Sequence, residues 1–489
     1  MTSLRAIIDG LQQRDLLVTA TSDAADVTGI TDDSRAVRQG DLYCAWQGTT
    51  RDGHDFVMSA VGNGAVGVLV ERSLPDVVVP QIVVNDGRRA AAVAANLIFG
   101  NPAGRLVFTG VTGTNGKTTT AWIMRHLLSA RYSAALIGTL GIFLPNGKPL
   151  QAESLTTPGP VELARVLSQL AQRGVTAISM EVSSHALDQG RVHALRFDAA
   201  VFTNLTRDHL DYHGTLEAYR AAKLSFVDLI KADGAAIINA DDAAWQGLEQ
   251  RAQRALRFGI ARDDADVRAQ DIDYRPDGTR FVLSHAGRRA QVDLPLLGDY
   301  NVQNALGAAA ACLALGYELD VIAALLSNVP QVPGRLEKIH TDRFTVLRDY
   351  AHTPDALERV LVTLRDVVRG RVIAVFGAGG DRDKGKRPEM GAVAQRLADV
   401  AIVTSDNPRS ESPEAIIDDI VAGMEQGRYA RIVNRREAIA EALRSARQDD
   451  VVLLAGKGHE TYQIVGSQKL EFDERAIVAD LLANAGVGA

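Results

Sequence analysis

Short apolar runs separated by helical patterns recur along most of the chain. From Arg105 onward, four such runs occupy residues 105–111, 175–182, 198–205 and 234–240, and each precedes a polar turn or a segment with helical periodicity. Apolar runs that alternate with helices are typical of strands buried on both faces of a parallel sheet. The pattern therefore predicts an α/β fold with a mainly parallel sheet.

Two chain breaks divide this pattern into three regions. Residues 1–100 mix short apolar runs with polar turns before the Asn101-Pro102 pair interrupts them. A second break lies at residues 329–334, where two prolines and a glycine follow a helical pattern. After this break, apolar runs again alternate with helical patterns up to the C-terminus. We therefore predict three α/β domains, the last of them Rossmann-like, with the limits 1–102, 103–332 and 333–489.

Composition and charge narrow the class of protein. The net charge of −7 over 489 residues argues against general nucleic-acid binding, which needs a concentrated basic surface. No window reaches the roughly 20 apolar residues of a membrane span, and the N-terminal segment does not resemble a signal peptide. The two cysteines, Cys44 and Cys312, lie in no metal-binding motif and are expected to be buried. We expect a cytoplasmic protein that does not span a membrane.

The first predicted strand of the middle domain leads into a phosphate-binding loop. Residues 112–119 read TGTNGKTT and precede a helical pattern, which is the strand, glycine loop and helix order of a P-loop. The usual first glycine is replaced by Val111, with glycines on either side of it. Backbone N–H groups and Lys117 would hold phosphates, and Thr118 would ligate magnesium. The predicted ATP-binding residues of the loop are Gly113, Thr114, Asn115, Gly116, Lys117, Thr118 and Thr119.

These motifs together resemble the Mur ligase family, which shares its fold with folylpolyglutamate synthases. The P-loop segment GTNGKTTT resembles the ATP loop of that family, and further matching segments follow in order along the chain. They occupy residues 180–187, 203–214, 217–223, 298–304, 333–337, 349–354, 377–388, 405–411 and 455–460. The resemblance therefore covers essentially the whole chain.

The resemblance implies an ATP-dependent acid–amino-acid ligase that works in two steps. ATP phosphorylates a substrate carboxylate, and an amine then displaces phosphate from the acyl phosphate. Among the matching positions, Asn304, Arg335 and Asp349 are implied to contact ATP. Mg²⁺ is the implied cofactor, with the ligands Thr118, Glu181, His209 and a carbamylated Lys223.

The residue pattern alone leaves other roles open for these metal ligands. A glutamate at the end of a strand, or a histidine in a polar loop, is more often solvated or paired than bound to a metal. A lysine at position 223, within a helical pattern, would ordinarily be solvated. Asn304, Arg335 and Asp349 are equally compatible with capping or surface pairing.

The family resemblance also implies a UDP-muramoyl-peptide substrate bound mainly by the first domain. Residues 31–56 resemble a uridine-binding stretch, although Asp32 and, further along, Leu155 depart from the expected residues. Arg191 would grip an anionic group with its guanidinium fork. The matching positions for UDP-MurNAc-L-Ala-D-Glu are Ser34, Thr49, Thr50, Arg51, Thr156, Thr157, Ser183, Gln189 and Arg191.

The segment DNPR at residues 406–409 follows an apolar run and carries the implied choice of amino acid. By itself it is a turn sequence. In the resembled ligases it marks acceptance of meso-diaminopimelate, whose second carboxylate an arginine can bind through two hydrogen bonds, whereas lysine would leave that arginine unpaired. The implied amino-acid-binding residues are Arg382, Asp406, Asn407, Pro408, Arg409, Gly456 and Glu460.

Three alternatives remain at this point. One is the lysine-adding ligase of the same family, against which DNPR argues. Another is a folylpolyglutamate synthase-like ligase, which would lack a first domain of this form. The third is a P-loop regulatory protein, which does not explain the distant motifs. We expect a monomer with small-molecule substrates.

Overall fold

The structure is a computed structural model that describes residues 1–48, 51–152 and 155–484. Its contacts group the chain into two compact units. The first unit comprises residues 1–269, 283–290 and 303–325. The second comprises residues 270–282, 291–302 and 326–489.

A five-stranded sheet forms the N-terminal part of the first unit, in the order β2-β7-β6-β5-β4. Strands β4 to β7 run parallel, and β2 pairs with β7 in the antiparallel direction at one edge. The elements of this N-terminal part, in which β1 and β3 form a separate antiparallel pair, are β1 (Thr2–Ser3), α1 (Leu4–Gln12), β2 (Leu17–Ala20), β3 (Asp26–Val27), β4 (Gly29–Thr31), β5 (Asp41–Cys44), α2 (Val57–Gly62), β6 (Gly67–Val70), β7 (Gln81–Val84) and α3 (Gly87–Ile98).

A larger sheet of eleven strands follows, and eight of them run in the order β11-β10-β9-β12-β8-β13-β14-β15. Among these eight strands, only the pairings of β10 with β9 and with β11 are antiparallel. The elements are β8 (Val107–Thr112), α4 (Lys117–Leu128), β9 (Ala134–Gly138), β10 (Gly141–Phe143), β11 (Pro149–Gln151), α5 (Pro160–Gln172), β12 (Ala177–Glu181), α6 (Ser184–Asp188), β13 (Phe197–Phe202), α7 (Leu210–His213), α8 (Leu216–Leu224), β14 (Ile230–Asn239) and β15 (Ala255–Gly259).

The remaining elements include a second parallel sheet, built by the second unit, in the order β19-β20-β24-β21-β22-β23. Only its edge strand β19 is antiparallel to its neighbour. The elements are β16 (Val267–Arg275), β17 (Gly278–His285), β18 (Arg288–Leu294), α9 (Asp299–Ala314), α10 (Leu319–Leu326), β19 (Glu337–Thr341), β20 (Thr345–Asp349), α11 (Pro354–Val367), β21 (Val372–Phe376), α12 (Lys386–Leu397), β22 (Val400–Val403), α13 (Pro413–Val421), β23 (Ala430–Arg431), α14 (Arg435–Ser445), β24 (Val451–Ala455), β25 (Tyr462–Val465), β26 (Gln468–Glu471) and α15 (Glu474–Asn484).

Strands that are buried along their whole length contribute to the cores of both units. Every residue of β9, β12, β21 and β24 is buried, as expected for strands covered on both faces. Cys44 and Cys312 are buried free thiols, which confirms the expectation for both. Among the described residues, no helix combines the length and the apolar character that a bilayer crossing requires. The predicted α/β class is confirmed, while the domain limits near residues 102 and 332 stay predictions.

Candidate active site

The P-loop lies where β8 ends and α4 begins. Residues 113–116 form the turn, and α4 starts at Lys117 with Gly116 before it in a left-handed conformation (φ 84°). A Cβ atom on Gly116 would collide with Asn304, and one on Gly113 would collide with Thr203. Val111 is a buried residue inside β8. The irregular glycine spacing is therefore explained, because the turn begins only after that position.

The segment that follows β13 holds the loop in place. Asn115 receives a hydrogen bond on its carbonyl from the Thr203 hydroxyl (2.7 Å), and its N–H donates to Asn204 Oδ1 (2.8 Å). The Thr114 hydroxyl donates to the carbonyl of Thr206 (3.2 Å). These residues lie in the matching segment 203–214, but the sequence predicts no role for them. Only the parallel pairing of β13 with β8 brings them beside the loop.

Lys117 and Asn304 both lie at this loop. Lys117 Nζ donates to the carbonyls of Gly113 (3.0 Å) and Thr114 (2.8 Å), so its ammonium group lies against the turn. Asn304, from α9, accepts a hydrogen bond from the Thr120 hydroxyl at 3.2 Å. The structure thus groups Asn304 with the P-loop residues across nearly two hundred positions of sequence.

Oxygen ligands suited to magnesium meet at the end of β12. Glu181 is 1% exposed, and its Oε2 accepts hydrogen bonds from the hydroxyls of Thr118 and Thr139, both at 3.1 Å. Its Oε1 accepts from the Thr139 N–H at 2.8 Å. Carboxylate and hydroxyl oxygens beside a phosphate loop fit the donor set that Mg²⁺ prefers. Thr139 had no role in the sequence reasoning, because it belongs to none of the matching segments.

Lys223 is buried, which contradicts the solvated helix position that its sequence pattern alone suggested. Its Nζ donates to the carbonyl of Gly113 at 2.7 Å and lies 4.4 Å from the centre of the Tyr219 ring. Burial lowers the pKa of Lys223 well below its ordinary value, and the nearby Lys117 ammonium lowers it further. The amine is therefore biased toward its neutral form and points at the phosphate loop.

His209 is less closely tied to this group. It is about half exposed, its Nε2 lies 3.5 Å from Asp208 Oδ2, and its ring packs edge-on against that of His185 with ring centres 4.8 Å apart. In the described part of the chain, no hydrogen bond or ion pair joins His209 to Glu181 or Lys223. Across that same part, no group of three or more His, Cys, Asp or Glu side chains is arranged to hold a metal ion.

Five of the predicted muramoyl-peptide residues form one hydrogen-bonded cluster. Thr157 donates its hydroxyl to the carbonyl of Glu181 (2.9 Å) and accepts from the Ser183 N–H (3.1 Å). Arg191 donates to the Thr157 carbonyl (2.9 Å) and, through two nitrogens, to Gln189 Oε1 (3.1 and 2.7 Å). The fifth member is Thr156, whose hydroxyl lies 3.0 Å from that of Thr139.

The other predicted nucleotide contacts are less well defined. The carbonyl of Ser34 accepts a hydrogen bond from Asn63 Nδ2 at 2.9 Å, and Arg51 is exposed. Thr49 and Thr50 lie outside the described residues.

Arg335 and Asp349, the remaining predicted ATP residues, both lie in the second unit. Asp349 ends β20 and accepts N–H hydrogen bonds from Leu336 (2.7 Å) and Ala351 (2.8 Å). Burial raises the pKa of Asp349, and the Arg335 guanidinium opposes that shift. The same guanidinium lies 4.7 Å from the centre of the Tyr350 ring.

The predicted amino-acid-binding residues also meet in the second unit. Asn407 Nδ2 donates to Glu460 Oε2 at 2.9 Å, and Arg409 donates to the carbonyl of Gly380 at 2.7 Å. A Cβ atom on Gly456 would lie 2.5 Å from Asp406 Oδ2. A Cβ atom on Gly380 would lie 1.8 Å from the Pro408 carbonyl oxygen. Arg382 is exposed and donates to the Asp381 carbonyl at 3.4 Å.

Family descriptions match three successive parts of the chain. "Mur ligase family, catalytic domain" matches residues 26–99, "Mur ligase middle domain" matches residues 111–312, and "Mur ligase, glutamate ligase domain" matches residues 334–458. A relative from Geobacillus kaustophilus is 46% identical over 92% of this chain and 94% of its own length. The chain belongs to the Mur ligase family.

The relatives of this Mur ligase carry one common name. The Geobacillus protein and a relative from Gloeobacter violaceus, 44% identical over 94% of each chain, are both named UDP-N-acetylmuramoyl-L-alanyl-D-glutamate--2,6-diaminopimelate ligase. A solved structure of a ligase with that name is 35% identical, with a TM-score of 0.73 over 99% of this chain and 100% of the other. The predicted family, fold and ATP-dependent ligase class are thereby confirmed.

A substitution of Thr139 tests the role of the oxygen atoms that meet around Glu181. Thr139→Val keeps the side-chain shape but removes the hydroxyl that joins Glu181 to Thr156, at a cost of about 1–2 kcal/mol for the lost buried hydrogen bond. We expect about a tenfold fall in kcat and a higher Mg²⁺ concentration for half-maximal activity, with Thr139→Ser close to wild type. Magnesium titrations of phosphate release would measure this, and an unchanged magnesium dependence in the valine variant would contradict it.

Proposed function

We propose that this Mur ligase joins meso-diaminopimelate to the D-glutamate γ-carboxylate of UDP-MurNAc-L-Ala-D-Glu, with ATP converted to ADP and phosphate through an acyl phosphate. The observation that carries the proposal is the nearly full-length similarity to ligases of that name. These relatives favour this reaction over the lysine-adding and folylpolyglutamate synthase-like alternatives. The geometry of the site fits each part of the reaction.

The first step requires the γ-phosphoryl group of ATP to be held and its charge neutralised. The N-terminus of α4 and the N–H groups of residues 113–116 suit phosphate oxygens, and Lys117 already lies over the same turn. Positioning and electrostatic stabilisation dominate phosphoryl transfer, so a rigid loop serves it well. The hydrogen bonds from Thr203 and Asn204 provide that rigidity.

Magnesium is part of this proposal: Thr118 and Glu181 would hold it, with His209 as a further ligand. When bound, it supplies charge neutralisation on the phosphates. Lys223 would contribute as a carbamate, formed when its neutral amine attacks CO₂ and releases a proton. Burial beside Lys117 favours the neutral amine that this addition needs, and the negative carbamate would in turn face the Lys117 ammonium.

The substrate carboxylate would be presented by the cluster around Arg191. Its guanidinium is held by the Thr157 carbonyl and by Gln189, both neutral acceptors, so its positive charge stays available to an anionic group. Thr157 also contacts the backbone of Glu181. The muramoyl-peptide residues and the proposed magnesium ligands therefore share one local framework.

In the second step an amine attacks the acyl phosphate. The residues that bind the amino acid would select diaminopimelate. Arg409 would bind the distal carboxylate, Glu460 an ammonium group, and Asp406, Asn407, Pro408, Gly456 and Arg382 would complete the pocket. Arg409 donates to a backbone carbonyl and to no carboxylate among the described residues, which leaves its charge for the ligand. The cytoplasmic location and the monomeric state expected from the sequence complete the proposal.

A substrate panel tests the reaction directly. We expect ATP-dependent phosphate release only when UDP-MurNAc-L-Ala-D-Glu and meso-diaminopimelate are both present, with omission of either as the control. Discrimination against L-lysine should reach at least about 100-fold in kcat/KM, because lysine leaves a pocket arginine unpaired. Turnover with L-lysine at an equal or higher rate would refute the choice of amino acid.

Lys223 yields a spectroscopic test. With ¹³C-labelled bicarbonate, the wild-type protein should show a carbamate carbon signal by NMR that is absent from Lys223→Ala. The alanine variant should lose at least about 100-fold in kcat. It should retain its affinity for UDP-MurNAc-L-Ala-D-Glu, because Lys223 contacts the phosphate loop and not the hydrogen-bonded cluster around Arg191. Wild-type activity in the variant, or an identical carbon spectrum, would exclude the carbamate.

Arg409→Lys tests the recognition of the distal carboxylate. A lysine ammonium keeps the charge but cannot reproduce a two-point hydrogen bond, so KM for diaminopimelate should rise by about tenfold or more. KM for ATP should stay within about twofold, since the P-loop residues are unchanged. Steady-state kinetics with each substrate varied in turn would measure this, and an unaltered diaminopimelate KM would remove Arg409 from the pocket.

A further inference from the structure

Lys457 lies fully buried among the proposed amino-acid-binding residues, although it has no assigned part in the reaction. Its Nζ donates to Asn407 Oδ1 at 3.0 Å and to Glu460 Oε2 at 3.2 Å. The ammonium also lies 5.9 Å from the centre of the Tyr462 ring. A buried lysine is rare unless it is paired, so these contacts account for its presence.

Two glycines direct this side chain inward. Gly456 has φ 114° and Gly458 has φ 54°, values that disfavour residues with a Cβ atom. A Cβ on Gly456 would approach Asp406 Oδ2 to 2.5 Å, and one on Gly458 would approach Tyr350 Cβ to 2.7 Å. The turn that contains Lys457 is therefore built to carry a side chain into the interior at that position.

The ammonium determines how the Asn407 amide is oriented. Asn407 Oδ1 accepts from Lys457 and from the Ile464 N–H at 2.9 Å, so the oxygen must face these two donors. The Nδ2 group then faces Glu460, to which it donates at 2.9 Å. Without the lysine, Asn407 Oδ1 would keep the Ile464 N–H as a donor but would lose the charged donor that links the amide to Glu460.

The same ammonium orients the Glu460 carboxylate. Oε2 accepts from both Asn407 and Lys457, whereas Oε1 accepts no hydrogen bond from the described part of the chain. A carboxylate held by one oxygen presents the other to a ligand in a defined direction. The Lys457 charge also compensates that of Glu460, which is only 16% exposed.

We propose that Lys457 is a positioning residue for the amino-acid substrate. It holds Asn407 and Glu460 so that Glu460 Oε1 receives a substrate ammonium group, and it acts through these two residues without touching the substrate. This inference rests on the proposed diaminopimelate reaction and assigns to it a residue outside its ligand-binding set.

The test compares Lys457→Met, Glu460→Gln and the double variant, with Lys469→Met as a matched control. Lys469 also lies over the Tyr462 ring, at 3.8 Å, but is exposed on the β25–β26 hairpin. KM for diaminopimelate, ATP and UDP-MurNAc-L-Ala-D-Glu, kcat and Tm are measured for each protein. Lys457→Met should raise KM for diaminopimelate about tenfold or more, with the other two KM values within about twofold. Lys469→Met should match wild type.

The double variant separates positioning from general stability. If Lys457 acts through Glu460, Lys457→Met should add less than about twofold to the diaminopimelate KM of Glu460→Gln. An unchanged diaminopimelate KM in Lys457→Met, a uniform loss for all three substrates, or fully additive effects would overturn the inference. If Lys457→Met fails to fold, the diaminopimelate KM of the double variant is compared with that of Glu460→Gln in its place. The double variant removes both charges, so neither charge is left buried without its partner.

The wild-type control keeps this inference separate from the reaction itself. Wild-type protein that does not turn over diaminopimelate would refute the proposed function, and the inference with it. Wild-type turnover together with an unaffected Lys457→Met variant would refute the inference alone.

Discussion

The buried carboxylate of Glu181 is the constraint on which the first unit's site depends. A carboxylate that is nearly removed from water is costly unless hydrogen bonds replace its hydration. Here three donors do so, from the Thr118 hydroxyl and from the hydroxyl and N–H of Thr139. Since β12 pairs in parallel with β8, with Glu181 opposite Val111, the carboxylate arrives at the level where the P-loop turn begins. Strand register therefore connects the phosphate loop, the proposed metal ligands and the peptide cluster.

Charge compensation is organised differently in the second unit. There the carboxylate of Glu460 is held by a buried ammonium and a side-chain amide, not by hydroxyl groups. The hydroxyl and N–H groups that donate to Glu181 carry no charge, which suits a site for a cation. The ammonium of Lys457 compensates Glu460 while one of its oxygens remains directed outward. The two carboxylates therefore suit different partners, a metal ion in one case and a substrate ammonium in the other.

Lys223 shows how burial changes the chemistry of a residue whose sequence context is ordinary. Its helix, α8, reads as polar, and the side chain would be expected in solvent. Packing of α8 against the P-loop instead brings Nζ to the carbonyl of Gly113, next to a second ammonium. Desolvation and like-charge repulsion act in the same direction and favour the neutral amine. A reactive nitrogen thus arises from the packing of the helix and not from any local motif.

The amino-acid sequence alone predicts the α/β class, the strand–loop–helix order of the P-loop and the membership of a ligase family. Each of these follows from local periodicity or from short contiguous motifs, which the chain carries whatever its neighbours in space. It also named Glu181, Arg191 and Arg409, through their motifs. Other properties are visible only in the folded structure: Thr139 and Asn204 lie beside Glu181 and the phosphate loop in the first unit, Lys457 contacts Glu460 in the second unit, and Lys223 is buried. Those properties depend on which strand ends meet and which turns face inward. Contacts between residues that are distant in the chain leave no periodic signal in the amino-acid sequence.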